Sequence, residues 1–207
     1  MREIEIKNFL KINHFNELSK LNLGNIGDNE IKVSYNKVYK NGQIEADCIS
    51  KETLKNINDY CHPIASDLLN KLAPEKVKYY EYSEYHIVLT GKNFSFPIHR
   101  DTPNKLLSGV VYLHPDKNKG TIIHNKNKTI KKEIEWEKNK ALFFSRTDKD
   151  SFHSYSSDGV SNRLTLVYNL MTRNIKGVCK EENLNYTYIN LREKINPYIY
   201  KYFKTFI

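Results

Sequence analysis

Residues 96–104 read FPIHRDTPN. His99 and Asp101 stand two apart where an apolar run ends, and residues at i and i+2 of a strand share one face. An imidazole and a carboxylate placed so can converge on one metal ion. Taken alone, the triplet fits a polar turn before Pro103 equally well. The decision comes from downstream. His153, in SFHSYSS, follows the strand-like KALFFS, and ten residues later Arg163 opens RLTLVYNL. A buried strand that begins with Arg calls for an anionic partner. An ordinary ion pair with Asp101 or Asp158 is the plain alternative for that charge.

Around these positions the sequence has a β character. From Tyr79 onward short runs rich in β-branched and aromatic residues follow one another: YYEYSEYHIVLT, FSFPIH, LSGVVYL, TIIH, IKKEIEW, KALFFS and RLTLVYNL. Turn-like TGKN, HPDKNKG and EKNK separate them. Upstream, Ile4 and Ile6 suggest a short strand, and Phe15, Leu18 and Leu21 one face of a helix. KVSYNKVYK (32–40) reads as a strand. After Ser50, a plausible N-cap, Leu54, Ile57, Cys61, Ile64, Leu68 and Leu72 recur at helical spacing, and Pro63 is expected to kink or split that helix. The aromatic, basic stretch from Tyr186 suggests a terminal helix of limited regularity at Pro197, serving packing or a dimer surface. Many short strands after a helical first third predict a mainly β, α+β fold: a jelly roll or barrel buttressed by helices.

The 207 residues fit one domain, read as supporting strand and helices over 1–75, a jelly-roll core over 76–172 and an extension over 173–207. No apolar run approaches the ~20 residues of a membrane span, and Glu3 and Glu5 interrupt any signal-like start. A cytoplasmic setting is the expectation. Cys48, Cys61 and Cys179 lack CxxC spacing, which argues against a disulfide framework or a thiolate zinc site. The net charge of +9 comes from 27 Lys against 6 Arg. These Lys lie in Asn-rich, loop-like stretches without interleaved aromatics, which weighs against a nucleic-acid partner.

Two His and one carboxylate leave coordination positions open, the pattern of non-haem Fe(II) sites. Arg163 would supply a planar fork for a carboxylate. With these four positions in order, the chain resembles the 2-oxoglutarate- and Fe(II)-dependent oxygenases, most closely their prolyl 4-hydroxylase-like branch. IEIKNFL resembles the opening of that branch, HRDTPNKLLSGVVYLHPDKNKG its first ligand strand and the strand after it, and KALFFS…FHSYSSDGVSNRLTLVYNL its closing strands. The resemblance implies a double-stranded β-helix in which His99, Asp101 and His153 ligate Fe(II). Arg163 would hold the distal carboxylate of 2-oxoglutarate, and Tyr112 would help to hold that cosubstrate. It also implies consumption of O2 with release of succinate and CO2, and allows ascorbate as an accessory reductant.

The chain departs from that branch at Leu89, ten before His99, and at Asn169, six after Arg163, where some peptidyl prolyl hydroxylases carry aromatic pocket walls. Paired glycines are reduced to Gly120. The expected substrate is a prolyl or other residue of a peptide or protein; the alternative is a free amino acid or small metabolite, anchored by Arg100 or Arg146. A metal-binding jelly roll without turnover and a nucleobase demethylase rank below. His86, His114 and His124 read as surface or satisfied core residues. The protein is expected as a monomer or homodimer.

Overall fold

The computed structural model describes residues 2–207. Eleven strands form two antiparallel sheets. The chain runs β1 (Glu3–Ile6), α1 (Ile12–Ser19), β2 (Ile31–Tyr39), β3 (Ile44–Glu45), α2 (Lys51–Leu72), a 3-10 turn (Pro74–Tyr79), β4 (Tyr82–Thr90), β5 (Ser95–His99) and β6 (Lys105–His114). It continues through β7 (Thr121–His124), β8 (Ile130–Glu133), β9 (Ala141–Ser145), β10 (His153–Ser156), β11 (Arg163–Met171), α3 (Ile175–Glu181) and α4 (Tyr186–Phe203). The larger sheet has the order β1-β9-β6-β11-β4-β2-β3, and the smaller the order β5-β10-β7-β8. This is the double-stranded β-helix, or jelly roll, with helices packed outside.

The period of two along each central strand divides its side chains between two jobs. On β11, Leu164, Leu166, Tyr168 and Leu170 join the core shared with the helices. Arg163, Thr165, Val167 and Asn169 face the space between the sheets. On β4, Tyr85 and Ile87 are in the helix-side core with Leu89 packed against them, while His86 and Val88 face inward. Leu89 therefore does not line the cavity; the position is one residue out of phase with the inner face.

Helix α2 covers the outer face through Leu54, Ile57, Cys61, Ala65, Leu68 and Leu69, all buried. Ser50 caps it, its hydroxyl accepting from the Thr53 amide at 3.0 Å. The Tyr85 hydroxyl donates to Asn58 Oδ1 at 2.9 Å and ties the helix to the sheet. Against expectation the helix passes Pro63 unbroken. Pro63 and Asp59, whose carbonyl loses its amide donor, both lie on the exposed face, where water replaces the missing bond. Helix α4 likewise runs through Pro197. β3 and α3, both short, have no counterpart in the sequence pattern.

The C-terminal segment returns to the smaller sheet. Tyr200 and Phe206 stack on each other at 5.0 Å, and their rings lie 5.4 and 5.6 Å from that of Phe96 on β5. The Ile207 amide donates to Asn196 Oδ1 at 3.0 Å. Tyr200 and Phe206 thus cover one flank of β5, while Tyr188, Tyr198, Tyr202 and Phe203 of the same segment remain exposed. No helix among the described residues is long and apolar enough to cross a membrane.

Candidate metal centre and carboxylate pocket

Strand pairing brings the two histidines together. In the β10–β5 ladder His153 stands directly opposite His99, and their ring centroids are 4.1 Å apart. Asp101 follows two residues after His99, just beyond the end of β5. One ligand atom from each of His99, Asp101 and His153 lies within 4.8 Å of the others. His99 Nδ1 donates to the Pro97 carbonyl at 2.9 Å and His153 Nδ1 to the Ser151 carbonyl at 3.0 Å. Each of these bonds occupies Nδ1 and leaves the Nε2 lone pair for a metal.

The electrostatics favour the deprotonated set. Burial, and then the His153 charge, push the His99 pKa down to about 3. Burial also lowers that of His153. At Asp101 burial alone would raise the pKa, but Lys105 and the two imidazoles outweigh it and hold the carboxyl well below the usual range. Lys105 Nζ donates to Asp101 Oδ1 at 2.7 Å, and the Ser108 hydroxyl donates to Oδ2. A carboxylate has lone pairs enough to keep these bonds and still ligate. Two neutral imidazoles and one carboxylate, with Asp101 and His153 buried and His99 half-buried, fit an open divalent-metal site.

Arg163 is buried, 2% exposed. Among the described residues it has no carboxylate partner; neither Asp101 nor Asp158 pairs with it, and its Nε lacks any hydrogen bond. Aromatic rings surround the guanidinium: Tyr155 at 4.6 Å, Trp136 at 5.2 Å and Tyr112 at 5.8 Å. An unpaired buried charge is costly unless an anion is to be received. Arg163 and the three candidate ligands His99, Asp101 and His153 line one cavity of about 310 Å³. A larger, more open groove of about 990 Å³ past Lys7 and Trp136 includes none of the four.

Tyr112 is buried beside this cavity. Its hydroxyl donates to Thr121 Oγ1 at 3.2 Å and accepts from the Thr121 amide at 2.9 Å. Its ring stacks on Trp136 at 4.5 Å, and Thr121 is the residue that lines the cavity. Gly120, beside it, allows the chain to approach Ile134, whose carbonyl would lie 1.8 Å from any added Cβ.

Neither candidate anchor for a small metabolite is free. Arg100 turns away from the cavity to Asp148 (2.8 Å to the carbonyl, 3.2 Å to Oδ2). Arg146 is buried and bonds the Asp101 carbonyl at 3.0 Å, Asp148 at 2.7 Å and Glu182 at 2.7 Å. It positions the Asp101 backbone. Arg192 on α4 joins the same clasp, at 2.8 Å from Asp148. Of the other histidines, His124 is satisfied by Ser154 Oγ at 2.8 Å and the Lys128 carbonyl at 3.2 Å, and His114 is exposed. His86 lines the cavity, with Nε2 3.2 Å from Glu84 Oε2.

The fold is the one found in solved 2-oxoglutarate- and Fe(II)-dependent oxygenases, prolyl hydroxylases among them. A prolyl-4-hydroxylase from Pseudomonas putida superposes with a TM-score of 0.59 at 14% identity, covering 83% of this chain and 93% of that one. A 2OG-Fe(II) oxygenase family oxidoreductase from Burkholderia pseudomallei gives 0.58 at 14%, covering 83% and 85%. A prolyl hydroxylase from Trichoplax adhaerens, in complex with a hypoxia inducible factor peptide fragment, gives 0.57 at 13%, covering 85% and 86%. No family model and no curated protein sequence matches the chain.

Proposed function

We propose that the protein is a 2-oxoglutarate- and Fe(II)-dependent dioxygenase that hydroxylates a C–H bond, in a prolyl or other residue of a peptide or protein. One observation carries the reading: a buried guanidinium without a carboxylate shares a cavity with a two-histidine, one-carboxylate cluster. In this reading His99, Asp101 and His153 hold Fe(II) and Arg163 receives the distal carboxylate of 2-oxoglutarate. Bound there, iron and cosubstrate supply the chemistry that splits O2, releasing succinate and CO2 and oxidising the substrate.

The chain's own part is placement. Lys105 and Ser108 orient the Asp101 carboxylate, and the Pro97 and Ser151 carbonyls fix the two imidazoles. Tyr155, Trp136 and Tyr112 keep water from the guanidinium, so its attraction for a carboxylate is stronger than in water. Tyr112 serves the cosubstrate through Arg163 and Thr121. A peptide substrate is supported by the peptide bound to the Trichoplax enzyme. The free amino acid is the second reading; that Arg100 and Arg146 are both engaged elsewhere weighs against it.

The test is succinate release from 2-oxoglutarate with Fe(II) and O2, over a panel of peptides and amino acids. Wild type is expected to release succinate and His99→Ala none above background. Arg163→Leu should weaken 2-oxoglutarate binding about 30-fold or more, the cost of breaking a desolvated charge pair. Equal succinate from wild type and His99→Ala with every substrate would leave a metal-binding jelly roll without turnover.

A further inference from the structure

Asn169 is fully buried, yet among the described residues neither its Oδ1 nor its Nδ2 has a hydrogen-bond partner. Neither of its in-register neighbours bonds it. Ser108, opposite on β6, gives its hydroxyl to Asp101. Glu84, opposite on β4, faces His86 at 3.2 Å and Lys37 at 3.9 Å. A buried carboxamide with both ends unpaired is rare in a folded protein and calls for an explanation.

Two other buried asparagines show how this chain normally treats the group. Asn36 donates to the Tyr85 carbonyl at 3.0 Å and accepts from the Asp47 amide at 2.8 Å. Asn139 accepts from the Leu10 amide at 2.8 Å and donates to the Leu10 carbonyl at 2.9 Å. One carboxamide thus grips the N–H and C=O of a single residue. Asn169 differs from both in where it stands: it lines the cavity of the metal cluster, one cross-strand step from the serine that holds Asp101. Arg163 lies six residues away on the same face of β11, about 20 Å along the strand. These two orphaned groups of β11 therefore mark separate ends of one cavity wall, with the unbonded His86 Nε2 of β4 also lining the cavity.

We propose that Asn169 is a substrate-recognition residue that reads a paired N–H donor and C=O acceptor, the amide chemistry that Asn139 reads at Leu10. The inference rests on the oxygenase reading for what happens to the bound group, but not for the binding itself. A carboxylate satisfies Nδ2 and leaves Oδ1 unpaired; an ammonium does the reverse; an amide pair satisfies both. Two sources present that pair: an extended peptide main chain, in which one residue's N–H and C=O point the same way, and a terminal carboxamide. Asn169 thus selects by hydrogen bonding from the cavity wall.

The test uses the full chain labelled with 15N, in the presence of Zn(II) and 2-oxoglutarate. The Asn169 side-chain NH2 signal is assigned by its loss in Asn169→Leu, and three probes are titrated: a terminally blocked Ala-Pro-Ala tripeptide, propionamide and free alanine. Movement of the signal by the tripeptide assigns the peptide source, and movement by propionamide alone the carboxamide source. In either case Asn169→Leu should bind the active probe about ten-fold more weakly or worse, while its melting temperature holds or rises because an unpaired buried amide has gone. A response to alanine alone, no response, or equal affinity in Asn169→Leu overturns the proposal. Succinate release, measured separately, keeps the two readings apart. An Asn169 response without succinate refutes only the oxygenase; peptide-stimulated succinate release unchanged in Asn169→Leu refutes only the subsite.

Discussion

The His99 ring has its pKa pushed down to about 3 by burial and by the neighbouring His153. In the unfolded chain the same ring titrates near 6.5. Below about pH 6.5 the unfolded state therefore binds a proton that the folded state refuses. Stability of the metal-free protein is full above that pH and is lost as pH falls toward 3, by up to about 1.4 kcal/mol per unit for one imidazole. His153 acts in the same direction. We expect the urea midpoint to fall between pH 7 and pH 5, and more shallowly in His99→Gln; equal slopes would contradict the assignment. His99, Asp101, His153 and Arg163 stand out in the sequence as candidates through their order and spacing. Asn169 was visible only as a departure, since its missing partners depend on the register of three strands. Leu89 was placed on the wrong face because a count of ten carried over without the strand's phase is an error that a period of two turns into an inversion.

Elements around the site are held by an ionic clasp that sequence could not reveal. Asp148 receives Arg146, Arg192 and Arg100, while Glu182 receives Arg146 and Lys76 at 2.7 Å each. These residues come from the end of β5, the loop after β9, the 3-10 turn, α4 and the loop after α3, so no local spacing records them. Asp148→Asn leaves three guanidiniums sharing less counter-charge, and we expect a loss of roughly 3 kcal/mol by urea denaturation. Because Arg146 also bonds the Asp101 carbonyl, metal affinity should weaken in the same variant. Helix α2 allows the opposite experiment. Pro63 on its exposed face removes one backbone bond, so Pro63→Ala should raise stability by about 1–3 kcal/mol, read as a higher melting temperature. A lower one would contradict this account of Pro63. The expectation of a break at Pro63 followed propensity; burial of Leu54, Ile57, Cys61 and Leu68 on the opposite face overrode it.

At the scale of the molecule, the sheet order places β1 at the edge beside β9, with Glu3 opposite Phe144 and Ile6 opposite Ala141. Every residue of β9 is buried. Deleting residues 1–7 would make ALFFS an apolar edge strand, a ready template for pairing between chains. The truncated protein should elute as oligomer or aggregate in size-exclusion chromatography where the full chain does not. The β-rich character was readable from strand-length runs and their turns, but the sheet order was not, because it joins segments from distant parts of the chain. That same pairing sets a timetable for synthesis. The first strand leaves the ribosome long before its partner exists, and Ile4 and Ile6 wait unpaired while seven further strands are made. His99 and Asp101 are likewise translated well ahead of His153, and Arg192 later still. Such long-range closure slows folding and prolongs exposure of apolar surface, so a growing chain holds half of a metal site, open to whatever ions the cell offers, before it can close the other half.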